Sequence, residues 1–124
     1  MERKMILCVD DDATVLTTRQ LVLQAAGFGV VTATDGSAGL TLFEDERVHA
    51  VVLDYLMPGM NGGEVAAEMK KRRPGVPILM LSAHMFPPDS ALRNVDAFVT
   101  KGEGPEAMLT ALGRLLHGPA KDSA

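Results

Sequence analysis

Five short apolar runs, rich in Val, Ile and Leu, lie at residues 5–9, 29–33, 50–53, 76–81 and 97–100. Each run is too unbroken for a strand with one face in water, which favours parallel strands covered on both faces. The runs alternate with segments in which apolar residues recur at helical spacing. This alternation predicts a three-layer, doubly wound α/β fold around a five-stranded parallel sheet, (βα)5.

Helix positions are predicted from apolar periodicity and from capping residues. A first helix follows the first strand and ends at Gly27, a typical C-terminal residue. A second runs from about Ser37 to Glu46, and a third begins near Asn61, whose side chain can form a capping box with Glu64. Two apolar sets mark the first and last helices: Val15, Leu16, Val22, Leu23 and Ala26, then Met108, Leu109, Leu112, Leu115 and Leu116.

Composition narrows the classes of function. The 124 residues, 47% of them hydrophobic, suit one domain with a core of its own. A formal charge of -4 gives no electrostatic basis for direct binding to nucleic acid or to an anionic membrane. The basic run Lys70-Lys71-Arg72-Arg73 is expected to be a solvated helix end. The single cysteine, Cys8, lies in an apolar run and is expected to be a buried small hydrophobe in a reducing compartment.

Targeting signals are not expected. The charged N-terminus is followed by five apolar residues, too few for a signal-peptide core or a membrane span. We therefore expect a cytoplasmic protein.

Polar residues cluster where the predicted strands end. Because the carboxyl ends of parallel strands meet at one edge of the sheet, these residues should share one crevice. They are Asp10, Asp11 and Asp12 after the first strand, Asp54 after the third, Ser82 after the fourth and Lys101 after the fifth.

Packed carboxylates repel one another unless a cation lies among them. Mg²⁺ suits a site made of a few carboxylates, waters and phosphate oxygens, so the cluster predicts Mg²⁺ as cofactor. A plainer alternative is that the aspartates at residues 10–12 cap a helix and oppose its dipole, which accounts for one or two of them.

Four segments together form a more specific pattern. They are Val9-Asp10-Asp11-Asp12, Asp54-Tyr55-Leu56-Met57-Pro58-Gly59-Met60-Asn61-Gly62, Leu81-Ser82-Ala83 and Phe98-Val99-Thr100-Lys101. The chain thereby resembles the response-regulator receiver family of two-component signalling, from residue 4 to about 117. The resemblance implies a chemotaxis-regulator-like, flavodoxin-like fold with strand order 2-1-3-4-5. A receiver domain would occupy residues 1–117, and residues 118–124 would be a flexible tail or linker stub.

The resemblance also implies a role for each site residue. Asp54 would be the phosphoacceptor, and Asp11 would bind Mg²⁺ directly while Asp10 binds it through water. The metal set would be completed by Asp54 and the backbone carbonyl of Leu56. Lys101 would neutralise phosphoryl oxygens and Ser82 would hydrogen-bond one of them.

As a switch, the Ser82 hydroxyl would move inward and the Phe98 ring would change rotamer, altering the surface around the fourth helix and fifth strand. Such a chain catalyses only its own phosphorylation and dephosphorylation and is not otherwise an enzyme. Its expected partners are a sensor histidine kinase or a histidine phosphotransfer protein, together with an unknown output partner. It would be a monomer or a weak phosphorylation-dependent dimer.

The chain departs from the family pattern in three places. Gly102 follows Lys101 where the family usually has proline, and glycine permits an unusual backbone without enforcing it. Met85-Phe86-Pro87-Pro88 excludes a normal fourth helix, which should be short, about Asp89 to Asn94, or irregular. The apolar Leu56 cannot orient an attacking water, which predicts slow hydrolysis of the phosphoryl group. An essential His84, as relay or ligand, is disfavoured.

Three alternatives stay open. A receiver-fold interaction module could act without phosphorylation, and a phosphotransfer intermediate could pass its group to a histidine-containing partner. Remotely, Asp10-Asp11-Asp12-Ala13-Thr14 also fits the nucleophile motif of haloacid-dehalogenase-type phosphatases, with Asp10 as nucleophile. That interpretation leaves Asp54 and the loop after it unexplained.

Overall fold

The computed structural model describes residues 3–83 and 87–117, and strand and helix alternate through them as predicted. The elements are β1 (Met5–Val9), α1 (Ala13–Ala25), β2 (Gly29–Ala33), α2 (Gly36–Phe43), β3 (Val48–Asp54), α3 (Gly62–Arg72), β4 (Ile78–Ser82), α4 (Asp89–Leu92), β5 (Ala97–Thr100) and α5 (Pro105–His117). A 3₁₀ turn, Lys101–Glu103, separates β5 from α5.

All strand pairs in the five-stranded sheet are parallel, and the strand order is β2-β1-β3-β4-β5. This confirms the predicted order. The chain reverses its direction of winding between β1 and β3. In sheets of this kind, the crevice beyond the carboxyl ends of those two strands is the usual ligand site.

Two hydrophobic layers cover the sheet. Alternate residues of β1 point to opposite faces: Leu7 and Val9 pack toward α2 and α3, and Ile6 and Cys8 pack toward α1 and α5. Cys8 is fully buried, and burial raises the pKa of its thiol to about 12. The thiol is therefore a neutral packing group at physiological pH, as expected of a small hydrophobe.

The boundaries of two strands, β3 and β4, differ from the sequence prediction. β3 begins at Val48, two residues early, because Val48 pairs with Met5 of β1, and it extends through Asp54. β4 begins at Ile78 instead of residue 76. Pro77 has no backbone N–H to add to the ladder, and the Ile78 N–H donates to the Asp96 carboxylate at 2.8 Å.

Two helices are shorter than predicted. α2 ends at Phe43, before the predicted end at Glu46, because the N–H groups of Glu44 and Asp45 bond to carbonyls three residues back and tighten the chain into a turn. α4 is a single turn after Pro88, within the predicted range Asp89–Asn94. His84, Met85 and Phe86 lie outside the described residues, as does the predicted tail at 118–124. No described helix has the length and hydropathy needed to cross a bilayer.

Candidate metal centre at the carboxyl ends of the strands

Asp54 is the last residue of β3, and its side chain lies in the crevice at the edge of the sheet. It is 4% exposed. The Tyr55 N–H donates to the Leu81 carbonyl at 2.9 Å, which extends the β3–β4 ladder one residue past Asp54. The Gly62 N–H then closes the following loop by donating to the Tyr55 carbonyl at 2.8 Å. The backbone around Asp54 is thus fixed on both sides.

Asp10 follows β1 and is the most enclosed carboxylate of the cluster, with 1% exposure. One oxygen, Oδ1, accepts the Asp12 N–H at 2.9 Å. The other, Oδ2, accepts from two cations: Lys101 Nζ at 3.0 Å and Arg19 Nη1 at 3.3 Å. Both oxygens of this buried carboxylate therefore have partners, as burial of a charge requires.

Three carboxylates converge in the crevice. One oxygen from each of Asp10, Asp11 and Asp54 lies within 4.8 Å of the others. Asp11 is exposed, so the cluster is open to solvent on its side. An all-oxygen donor set with an open side fits Mg²⁺, which retains several waters when bound to protein.

The helix-capping alternative accounts for the third aspartate of the run. Asp12 is the N-cap of α1, and its side chain accepts the N–H groups of Thr14 at 2.9 Å and Val15 at 3.2 Å. Asp10 and Asp11 make no such cap and face Asp54 instead. Capping therefore explains one aspartate, and the other two belong to the cluster.

Lys101 also reaches the cluster. Its Nζ lies 2.9 Å from Asp54 Oδ1 and 3.0 Å from Asp10 Oδ2, so that one ammonium bridges the two carboxylates. The 3₁₀ turn that presents Lys101 is fixed by Glu103, whose carboxylate accepts the Thr100 N–H and hydroxyl. The left-handed backbone in this loop falls at Gly104, with φ 88°, and not at Gly102.

Burial and charge act in opposite directions on this bridge. Burial raises the pKa of Asp54 above its ordinary value, with a further contribution from the charge of Asp10, although Lys101 and Arg19 oppose the shift. Burial lowers the pKa of Lys101, but its hydrogen bonds to Asp54 and Asp10 outweigh that effect and the net shift is upward. Lys101 thus remains a cation, and the Asp54 carboxylate is held in a poorly solvated place.

Ser82 and Phe98 lie on the strands predicted for them, and Leu56 lies in the loop after β3. Ser82 is the last residue of β4, one strand from Asp54, and is 1% exposed. Phe98 is a partly buried residue of β5 beside a groove of ≈ 540 Å³ between β5 and α5. Leu56 is 52% exposed. The switch roles of Ser82 and Phe98 and the ligand role of the Leu56 carbonyl stay predictions.

Arg19 is the site residue that sequence reasoning missed. It lies on α1 among the buried residues Leu16 and Leu23, and its guanidinium points to Asp10. The signal was available, because residues 16, 19 and 23 share one face of a helix. A charged residue on an otherwise apolar face needs a buried partner.

Comparison with known proteins agrees with the fold. A family model for the response regulator receiver domain matches residues 6–113. Transcriptional regulatory protein GlrR of Escherichia coli (strain K12) is 36% identical over 122 residues, which cover 94% of this chain and 28% of GlrR. The chain thus corresponds to a little over a quarter of that relative.

Two solved structures are close in shape. A CheY-like response regulator receiver domain protein from Methanospirillum hungatei JF-1 has a TM-score of 0.89 and 27% identity, with 98% of this chain and 100% of that chain covered. Response regulator protein TrrA from Thermotoga maritima, in complex with Mg²⁺-BeF, has a TM-score of 0.86 and 31% identity, with coverage of 91% and 99%. TrrA has also been solved in complex with histidine kinase ThkA.

Proposed function

This chain belongs to the response regulator receiver domain family of two-component systems, and from that membership we propose that it accepts a phosphoryl group on Asp54. Receiver domains are in general signalling modules and not enzymes acting on external substrates. The reaction proposed for this chain is limited to its own phosphorylation and dephosphorylation. The observation that carries the proposal is the Lys101 ammonium bridging Asp54 and Asp10 within the three-carboxylate cluster.

In the proposed transfer, an Asp54 carboxylate oxygen attacks the phosphorus of a phosphohistidine donor. The new O–P bond forms as the P–N bond breaks, and the histidine nitrogen leaves with the bonding electron pair and is protonated. The burial of Asp54 removes the water that would otherwise surround the nucleophile. Lys101, already 2.9 Å from Asp54 Oδ1, is placed to neutralise the incoming phosphoryl oxygens. Ser82, one strand away, is the proposed hydrogen-bond donor to one of them.

The cofactor proposed for this site is Mg²⁺. Asp11, Asp54 and the Leu56 carbonyl would hold it, with Asp10 acting through water. When bound, Mg²⁺ supplies positive charge to the phosphoryl oxygens during transfer. The TrrA structure with Mg²⁺-BeF supports Mg²⁺ as the cofactor, because that relative is 31% identical and of the same fold.

The proposed partners follow from the same chemistry. A sensor histidine kinase or a histidine phosphotransfer protein would donate the group, and the TrrA–ThkA complex supports a kinase. Phosphorylation would alter the surface near α4 and β5 through Ser82 and Phe98 and would thereby act on an output partner. We further propose that the chain is cytoplasmic. It would be either a monomer or a weak dimer that forms only on phosphorylation.

The test is phosphoryl incorporation from acetyl phosphate or phosphoramidate, followed by intact mass spectrometry. Wild type should gain one phosphoryl group when Mg²⁺ is present and none when it is chelated. Asp54→Asn should gain none under either condition, because the amide is not a nucleophile of comparable strength.

A matched control is Asp35→Asn. Asp35 caps α2, and asparagine caps equally well, so this variant removes one carboxylate outside the cluster and should be phosphorylated like wild type. Incorporation retained in Asp54→Asn would mean that another residue is the acceptor, with Asp10 the first candidate. No incorporation in wild type would favour an interaction module that acts without phosphorylation.

A further inference from the structure

Arg19 is one of four buried polar residues in the described segments 3–83 and 87–117, the others being Asp10, Asp54 and Ser82. Arg19 is 7% exposed. A guanidinium is rarely buried without a structural or functional need, because its removal from water is costly unless it is paired. The proposed phosphotransfer gives no role to this cation, so its presence in the site requires an explanation.

The contacts of Asp10 supply one. Arg19 Nη1 and Lys101 Nζ donate to the same oxygen, Asp10 Oδ2, at 3.3 and 3.0 Å. Lys101 is at the same time 2.9 Å from Asp54 Oδ1. The Lys101 ammonium is therefore shared between two carboxylates, and Asp10 holds a second counter-ion that does not depend on Lys101.

The division of Lys101 between Asp10 and Asp54 becomes important once Asp54 is phosphorylated. A phosphoryl group on Asp54 would draw the Lys101 ammonium onto its oxygens and away from Asp10. Asp10 is 1% exposed, and a carboxylate at that depth without a cation is strongly unfavourable. With Arg19 in place, Asp10 keeps an ion pair after Lys101 has moved.

We propose that Arg19 is a positioning residue that retains the charge of Asp10 and thereby frees Lys101 for the phosphoryl group on Asp54. The inference deepens the proposed function and rests on it for the phosphorylation step. A second consequence is independent of phosphorylation. Arg19 adds a fixed positive charge beside the three carboxylates, so it weakens the binding of Mg²⁺ to the unphosphorylated chain.

The first experiment compares wild type with Arg19→Gln, by calorimetric titration of Mg²⁺ into the unphosphorylated protein. Removal of a unit charge within contact distance of Asp10 should tighten Mg²⁺ binding about ten-fold. At saturating Mg²⁺, phosphorylation by acetyl phosphate should instead become about ten-fold slower, because Asp10 then retains Lys101. A merely structural arginine would not move the two quantities in opposite directions.

Two variants serve as controls. Arg19→Lys keeps the charge and should restore both the Mg²⁺ affinity and the phosphorylation rate to within about three-fold of wild type. Arg47→Gln removes the same unit of net charge from an exposed arginine that precedes β3, at the end of the strand opposite Asp54, and should change neither quantity. Together they separate the local cation from the overall charge of the chain.

The proposal is overturned if Arg19→Gln binds Mg²⁺ no more tightly than wild type or is phosphorylated at the wild-type rate. Should Arg19→Gln fail to fold, wild-type NMR decides the question. The Arg19 Nη1 protons, which face Asp10 Oδ2, should stay protected from solvent exchange both in the free protein and with Mg²⁺ and beryllofluoride, a phosphoryl analogue. Loss of protection with the analogue would contradict the proposal. A wild type that binds Mg²⁺ but accepts no phosphoryl group would count against the proposed function alone.

Discussion

At the scale of single residues, the loop between β3 and α3 depends on a glycine that the sequence motif already contained. A Cβ added at Gly62 would lie 2.8 Å from the Tyr55 Cα and would also overlap the backbone oxygen of Asp54. The atoms in the way all belong to the backbone of Asp54 and Tyr55, which cannot rotate away as a side chain could. The close approach of α3 to the end of β3 therefore requires glycine at this position, and it fixes the segment that carries the proposed acceptor.

We expect Gly62→Ala to lower the free energy of unfolding by about 1–3 kcal/mol through overpacking. It should also slow phosphorylation, because the backbone of Asp54 must shift to make room. Urea denaturation and acetyl phosphate kinetics measure the two effects.

Gly113→Ala is the matched control, because a Cβ there meets nothing within 4 Å and the residue lies inside α5. It should raise the free energy of unfolding by about 0.5–1 kcal/mol, since alanine is the better helix former. Equal destabilisation by the two substitutions would refute the close-contact argument.

The convergence of the site residues could be predicted for those that lie at the ends of strands. Asp10, Asp11, Asp54 and Lys101 meet in one crevice because parallel topology brings strand ends together, and that topology was evident from the apolar runs. Arg19 was missed because it lies inside a helix, where the strand-end argument does not apply. The slow hydrolysis predicted from Leu56 stays a prediction.

At the scale of elements, the basic run at the end of α3 has a role different from a solvated helix end. Arg73 donates to the backbone carbonyls of Phe43, Asp45, Glu46 and Val48, and its guanidinium lies 5.0 Å from the Phe43 ring centroid. It thereby holds the turn between α2 and β3 against α3. Lys70 similarly donates to Asp96, at 2.7 Å, and to the Val76 carbonyl. The expectation of a solvated end was wrong for these two residues.

Arg73→Gln should therefore lower the free energy of unfolding by about 2 kcal/mol, because several backbone acceptors lose a charged donor. The neighbouring Lys71→Gln should change it by less than about 0.5 kcal/mol, since Lys71 is mostly exposed and its nearest carboxylate, on Glu68, is 3.9 Å away. Chemical denaturation of both variants tests the difference. Similar values for the two would mean that Arg73 does not bind the turn as described.

The same contacts explain which element boundaries the sequence could not supply. Apolar runs, helical periodicity, capping residues and the paired prolines located the strands and α-helices, but none of these signals registers side chains that bond to a distant backbone. At the start of β4, the Asp96 carboxylate accepts a hydrogen bond from the Ile78 N–H, although the two residues are eighteen positions apart in the sequence. The turn after α2 depends likewise on Arg73, which directly follows the next helix, α3. Such boundaries are tertiary in origin.

At the scale of the whole molecule, the fold concentrates buried charge at one edge of the sheet. Lys101 and Arg19 pair there with Asp10 and Asp54, and the exposed Asp11 adds a third carboxylate, so the described contacts leave one more carboxylate than cation. Elsewhere the sheet is enclosed by two apolar layers. Repulsion among these carboxylates therefore lowers the stability of the whole domain. A cation that binds there should raise the free energy of unfolding.

This coupling predicts that Mg²⁺ raises the melting temperature of the unphosphorylated chain. At a free Mg²⁺ concentration one hundred times its Kd, the stabilisation should be about 2.7 kcal/mol, because the folded state binds and the unfolded state does not. The corresponding rise in melting temperature is several degrees for a domain of this size. Differential scanning calorimetry with Mg²⁺ and with a chelator measures it.

Asp11→Asn is the variant that tests where this stabilisation arises. Asp11 is exposed and has no capping role, so its substitution should leave the metal-free fold intact and even relieve repulsion with Asp10 and Asp54. The variant should melt at or above the wild-type temperature in chelator and should show little further increase with Mg²⁺. Asp35→Asn, outside the cluster, should keep the full increase. If Asp11→Asn gained as much from Mg²⁺ as wild type, the stabilising ion would have to bind somewhere other than the three-carboxylate cluster.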